Sequence, residues 1–200
     1  MTAGLLIILS GPSGVGKGTV CRYLMSIRKN LNLSISTTTR PPRPGEIDGR
    51  EYNFATESNF NEMVANDLFI EWAEVHGHHY GTSRALVDEV IGRREDLILE
   101  IDVQGALQVK EKLPSAVALF LAPPSWAALE ERIRGRGTED GYLIQQRLVT
   151  AKKEMEAFHY YDYIVVNDEV EEAAALINSI IDAEKCRVSR GARPPGRGGE

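Results

Sequence analysis

Cysteine is nearly absent from this chain of 200 residues: Cys21 and Cys186 are the only two. They form neither a C-x-x-C pair nor a multi-bridge framework, which excludes a disulfide-stapled domain and suits a reducing compartment. No apolar run approaches the length of a membrane span, and Met1 to Leu9 shows no charged n-region and no cleavage site, so a cytoplasmic protein is expected. Positive charge is also in short supply. Lys and Arg total 23 against 29 Asp and Glu, for a net charge of −6 and a pI near 5.4, which argues against nonspecific binding to nucleic acid or anionic membrane. An anionic ligand must therefore be met by a few placed arginines. No internal repeat is visible, and a 42% hydrophobic content supports one sizeable core with small inserted subdomains.

What is present is organised around one loop. Leu5-Leu6-Ile7-Ile8-Leu9 reads as a buried strand, and Gly11-Pro12-Ser13-Gly14-Val15-Gly16-Lys17-Gly18-Thr19 follows it. Val20, Cys21, Leu24, Met25 and Ile27 then recur at helical spacing. Strand, G-x-x-x-x-G-K and helix, in that order, is the context a phosphate-gripping loop requires. Gly11, Gly14 and Gly16 permit positive φ, so successive N–H groups can turn toward phosphate oxygens at a helix N-terminus. Lys17 adds a mobile charge for the β- and γ-phosphates. A chance glycine turn accounts for a lone triplet but poorly for the whole spacing. Gly18 stands where the consensus has Ser or Thr, which leaves Thr19 or its neighbour to face a metal ion. That G-K-G-T variant resembles the loop of nucleoside monophosphate kinases, where the metal is held largely through water.

Further along, Leu33 to Ser36 reads as a short strand, and the prolines of Pro41, Pro42 and Pro44 exclude helix over 37–46. A short strand is expected over 51–54, a helix through Phe60, Met63, Val64 and Leu68, and a strand over 69–75. Leu86, Val87, Val90 and Ile91 mark another helix. Leu97 to Asp102 is a strand ending in acid, and since ligands of parallel α/β sheets sit beyond the strands' carboxyl ends, Asp102 should point into the loop's crevice. It also suits an N-cap for the following helix, and the two roles are compatible. Strands over 117–122 and 163–166, a helix through Leu129 and an amphipathic helix over 173–183 complete an α/β fold: a parallel sheet core of the P-loop NTPase type flanked by helices. The expected division is a core of 1–35, 84–125 and 157–186, a small mixed insert at 36–83, a helical lid at 126–156, and a disordered tail at 187–200.

The insert holds Ser36, Arg40, Arg43, Tyr52, Glu71, Tyr80 and Thr82. Arg40 and Arg43, on a proline-stiffened loop, could present two guanidinium forks to one phosphate, with Tyr52 and Tyr80 as neutral donors. A solvated basic turn beside two core tyrosines is the alternative. Glu71 interrupts Phe69-Ile70-Glu71-Trp72-Ala73, where a half-buried carboxylate needs partners. The parallel N1–H and 2-amine donors of guanine would satisfy it, and adenine offers neither.

These segments, with Ile101-Asp102-x-Gln104-Gly105 and Arg134-Gly135-Arg136-Gly137-Thr138-Glu139, are similar to guanylate kinase over roughly Leu5 to Glu184. The resemblance implies a GMP-binding insert, a mobile lid and transfer of the γ-phosphoryl of ATP to GMP, and by extension to dGMP, with Mg²⁺ accompanying ATP. By the same resemblance Ser36, Glu71, Thr82 and Asp102 face guanine, and Arg40, Arg43, Tyr52 and Tyr80 face the GMP phosphate. Lys17 and the loop hold the donor phosphates, assisted by Arg132, Arg136 and Arg147, and Asn167 lies near adenine. Asp140-Gly141-Tyr142 departs from the more acidic stretch common in the lid. Partners would be ATP and GMP, in a monomer or homodimer. An adenylate kinase-like enzyme shares the loop but gives Glu71 no purpose. A non-catalytic guanylate-kinase-like interaction module would be expected to lack the intact loop. A regulatory GTPase would carry N-K-x-D, which the chain does not.

Overall fold

Short runs of Leu, Ile and Val with no polar alternation suit strands covered on both faces, and the chain builds its centre from three of them, Leu6–Ser10, Asp96–Glu100 and Val117–Ala122. The computed structural model describes residues 4–135 and 141–192. In chain order the elements are β1 (Leu6–Ser10), α1 (Lys17–Ile27), β2 (Leu31–Leu33), β3 (Thr37–Thr38), β4 (Asn53–Phe54), α2 (Glu57–Ala65), β5 (Phe69–Val75) and β6 (His78–Ser83). They continue with α3 (Arg84–Gly92), β7 (Asp96–Glu100), α4 (Val103–Lys112), β8 (Val117–Ala122), α5 (Trp126–Arg134), α6 (Gly141–Glu156), β9 (Tyr163–Val166) and α7 (Val170–Lys185).

Five strands pair in the order β2-β7-β1-β8-β9, all parallel. Side chains alternate across this sheet with period two. Ile7 and Leu9 face α1 and α7 with Val20, Leu24 and Ile177, while Leu6 and Ile8 face α3 and α4 with Val87, Val90 and Val109. Ile7, Ile8 and Leu9 are fully buried, each contributing about 1.5–3 kcal/mol of apolar burial. The loop after β1 thus emerges from a fully buried strand, at the carboxyl edge of the sheet.

The second sheet, β4-β3-β6-β5, lies within 37–83 and mixes one parallel pair, β3 with β4, with antiparallel pairs. A register irregularity between Phe69 and Glu71 interrupts the β5–β6 ladder. It accompanies three consecutive buried residues. Phe69 stacks on Phe60, Ile70 joins the core cluster of α3 and α4, and Glu71 is sealed at 3% exposure. No helix among the described residues is long and apolar enough to cross a membrane.

Two expectations need correcting. The strand expected at Leu33–Ser36 is earlier: β2 ends at Leu33, and the chain then leaves the core sheet to begin β3 at Thr37. The tail expected to be disordered from residue 187 is ordered at its start. Val188–Arg190 form a 3-10 turn, and Arg187 and Arg190 each meet the buried Glu184 carboxylate at 2.8 Å. A carboxylate that is 2% exposed requires such cations. Residues 193–200 lie outside the described residues.

Candidate active site

Helices α2, α3, α4 and α5 are closed at their N-termini by Thr56, Ser83, Asp102 and Ser125, each accepting a backbone N–H through its side chain. Helix α1 is not. Its N-cap is Gly16, left-handed at φ 101°, with no side-chain acceptor, so the start of α1 is left open to an anion. Glycine is required there twice over, since a Cβ would also fall 2.7 Å from Asn167 Nδ2.

Side chains brace the loop from two directions. Asn167, 3% exposed, donates Nδ2 to Val15 O at 2.7 Å, and Arg132 Nη1 donates to Asn167 O at 2.9 Å and Val15 O at 3.4 Å. From α6, Glu154 Oε2 accepts the Ser13 N–H at 2.9 Å, and Arg147 Nη2 and Nε donate to Ser13 Oγ at 3.0 and 3.3 Å. Lys17 is folded back on the loop, its Nζ donating to Gly11 O at 2.6 Å.

Beyond the loop lies a cavity of about 420 Å³, within the range of small-molecule sites. It gathers Ser13, Lys17 and Arg147 with Ser36, Arg40, Arg43, Tyr52, Glu71, Tyr80 and Asp102. Arg40 is buried and held by both oxygens of Glu46 at 2.9 Å, its guanidinium 5.3 Å from the Tyr52 ring centre. Burial works against its charge, but the Glu46 carboxylate outweighs this and holds the Arg40 proton more firmly than usual. Glu71 is the opposite case: burial pushes its carboxyl up to about 7, against the hydrogen bond from Thr82 and with help from the charge of Asp102. Thr82, fully buried, donates to Glu71 Oε1 at 2.6 Å. Asp102 does both things expected of it, lining the cavity and capping α4 through Gly105 N–H at 2.8 Å.

Not every residue singled out in the sequence faces the cavity. Thr82 stands behind Glu71, Asn167 and Arg132 stand behind the loop, and Thr19 is on the outer side of α1, where its Oγ1 accepts from Arg22 Nη2 at 3.3 Å. Arg136 lies outside the described residues.

The guanylate kinase family model matches residues 4–184. The chain belongs to the guanylate kinase family. It is 50% identical over 187 residues to the guanylate kinase of Caldanaerobacter subterraneus subsp. tengcongensis, covering 94% of this chain and 91% of that one. Identity to the guanylate kinase of Desulfitobacterium hafniense is also 50%, covering 94% of each. The crystal structure of guanylate kinase from Anaplasma phagocytophilum superposes with a TM-score of 0.80 at 32% identity, covering 95% of this chain and 90% of that one.

Within this guanylate kinase fold, three carboxylates at the site were missed in the sequence. Glu46 and Glu154 hold Arg40 and the loop as described. Glu100, the last residue of β7, lines the cavity with its carboxyl pushed up by burial and drawn back by Lys17 and Arg22. The rule that found Asp102, an acid at the carboxyl end of a parallel strand, applied equally to Glu100.

Proposed function

We propose that the crevice carries the γ-phosphoryl of ATP in line to the phosphate of GMP, giving ADP and GDP, with the loop as donor site and the insert as acceptor site. The observation that carries this reading is Glu71: a carboxylate 3% exposed, with Oε1 engaged by Thr82, opening on the same cavity as Lys17. Its remaining acceptor capacity suits the N1–H and 2-amino donors of guanine, with Ser36 as donor to O6. Thr82 sets the carboxylate rather than touching the base. Asp102 adds a second acceptor on the amine side.

The GMP phosphate would exchange with Glu46 for the Arg40 fork, joined by Arg43, Tyr52 and Tyr80. On the donor side the loop N–H groups and Lys17 meet the β- and γ-phosphates, with Arg132 and Arg147 from α5 and α6, the lid helices. Among the described residues Asn167 Oδ1 is buried without a hydrogen-bond partner, which suits the exocyclic amine of adenine. The acceptor oxygen is already anionic at neutral pH, so no general base is required and catalysis reduces to alignment and charge neutralisation.

Mg²⁺ would enter with ATP. A Cβ on Gly18 would lie 3.2 Å from Glu100 Oε1, so the glycine after Lys17 leaves a hard oxygen donor beside the loop, which fits this ion, whereas Thr19 faces outward. When bound there, it would withdraw charge from the transferring group.

A coupled assay offering GMP, AMP, UMP and CMP with ATP and Mg²⁺ tests the assignment. GMP should be preferred over AMP by roughly 10⁴ in kcat/KM. Comparable turnover of AMP would overturn it.

A further inference from the structure

The Gln104-Gly105 pair touches neither nucleotide in the scheme above, and Gly105 is an awkward choice where it stands. It lies in the first turn of α4, is buried, and has no positive φ, so the backbone does not require glycine and the helix would be better served by another residue. What requires it is across the cavity wall. A Cβ at Gly105 would fall 2.3 Å from Glu71 Oε2, 3.0 Å from Glu71 Cδ and 3.3 Å from Asp102 Oδ1.

We propose that Gly105 is a specificity-determining residue of the acceptor site: its missing side chain is the notch that lets the Glu71 carboxylate lie at the angle guanine needs. This rests on Glu71 as the guanine reader. The carboxylate is fixed on one side by Thr82 at Oε1 and bounded on the other by the α4 backbone at Oε2. Strand and helix cannot slide apart to make room for a methyl group. β5 is the edge of its sheet, and a stripe on α4 grips its backbone. Gln104 Nε2 donates to Glu74 O at 3.4 Å, Gln108 Nε2 to Trp72 O at 2.7 Å and Lys112 Nζ to Ile70 O at 2.6 Å, while Gln108 Oε1 accepts Trp72 N–H at 3.3 Å. With the backbones locked on both sides of residue 71, the strain of an added Cβ passes to the mobile end of the Glu71 side chain. Gly105→Ala therefore disturbs the reader and spares the fold.

The test compares the parent, Gly105→Ala, Glu71→Gln, Glu71→Asp and the double variant Gly105→Ala/Glu71→Asp, measuring KM and kcat for GMP and IMP, KM for ATP, and thermal unfolding. Gly105→Ala should raise KM for GMP about 30-fold, shrink the GMP-to-IMP preference about 10-fold, and leave KM for ATP within about twofold. IMP loses less because it lacks the 2-amino group that the displaced carboxylate no longer meets. Shortening the side chain withdraws it from the filled notch, so Glu71→Asp should restore about 10-fold of the GMP loss in the Gly105→Ala background while harming the parent. If Glu71→Gln abolishes guanine preference but Gly105→Ala behaves as parent, the reader stands and the notch falls. If Glu71→Gln keeps the preference, both fall together. A Gly105→Ala protein that unfolds and is not restored by Glu71→Asp assigns Gly105 to folding alone and overturns the proposal.

Discussion

Glu71→Gln should make the ligand-free protein more stable, and increasingly so as pH rises. The carboxyl is raised from 4.5 to about 7 by burial, so between those values the folded protein holds a proton that the unfolded chain has released. Stability then falls with rising pH through this window: the contribution is fully present below about 4.5 and gone above about 7. At 1.36 kcal/mol per pH unit, the cost of burying Glu71 relative to the unfolded chain grows from about 1 kcal/mol at pH 5, where the folded protein keeps the proton, to about 3 kcal/mol at pH 8.5, where the carboxylate is ionised in place. Gln keeps the volume and the acceptor for Thr82 but never ionises. For a chain of this length, about 2–4 °C accompanies each kcal/mol, so the variant should exceed the parent by roughly 6–12 °C at pH 8.5 and only a few degrees at pH 5. Thermal unfolding of both proteins from pH 5 to 8.5 is the assay. Other titrating groups, Glu100 among them, cancel in the difference. Saturating GMP should reverse the order at pH 8.5, because bound guanine supplies donors to the carboxylate. A parent-to-variant gap independent of pH would refute the idea that Glu71 is an uncompensated buried acid in the free enzyme.

Lys17→Ala should lower kcat by about 10³ or more with the fold intact, since among the described residues its ammonium bonds to the loop carbonyls of Gly11 and Pro12; near-normal kcat would remove the phosphoryl-transfer reading. Thr19→Ala should cost about 10-fold, in keeping with an outward hydroxyl, and a loss near a thousandfold at saturating Mg²⁺ would make Thr19 a direct metal ligand. Glu71→Gln should reduce kcat/KM for GMP by about 10² or more, with little change in KM for ATP and a smaller loss for IMP. A GMP-to-AMP preference that survives it moves the guanine reader elsewhere, with Asp102 the next residue to substitute.

The core was legible because its signals are local. β8 and β9 in the core sheet, and β5 in the second sheet, occupy the residues that their Leu, Ile, Val and Phe content marked out, and the loop glycines announce themselves by spacing. β6 was not legible. His78-His79-Tyr80-Gly81-Thr82-Ser83 shows no apolar alternation, since the strand sits inside a sheet whose polar residues point into a cavity. The usable signal was His76-Gly77, both at positive φ (52° and 77°), a two-residue connection of the kind that joins hairpin strands. Of the cavity residues, Glu71 was legible as a polar residue where an apolar one was due, Asp102 as an acid at the carboxyl end of a parallel strand, and Ser36 through the family resemblance. The carboxylates that hold Arg40 and the loop were not, because Glu46 and Glu154 act on residues 6 and 141 positions away, and nothing local distinguishes them from surface acids.

Those partners explain how an acidic chain keeps arginines ready for anions. Arg40 is held by Glu46, Arg132 by Asn167 O, Arg147 by Ser13 Oγ and Lys17 by Gly11 O. Glu154 meanwhile occupies a loop N–H. A buried guanidinium without a partner is costly, and a mobile one must be ordered at the moment of binding. At Arg40 the Glu46 carboxylate removes both costs, while Glu154 occupies a backbone donor of the loop. Glu46 and Glu154 are each a single charge with two oxygens, so in the proposed scheme an incoming phosphate, with more charge and more acceptors, would displace each from its donors without rebuilding them. In the proposed scheme the exchange would also set selectivity: a lone monoanion would gain nothing over the carboxylate already there, whereas a nucleotide would add its base to the competition, and at the acceptor end that base would be read by Glu71.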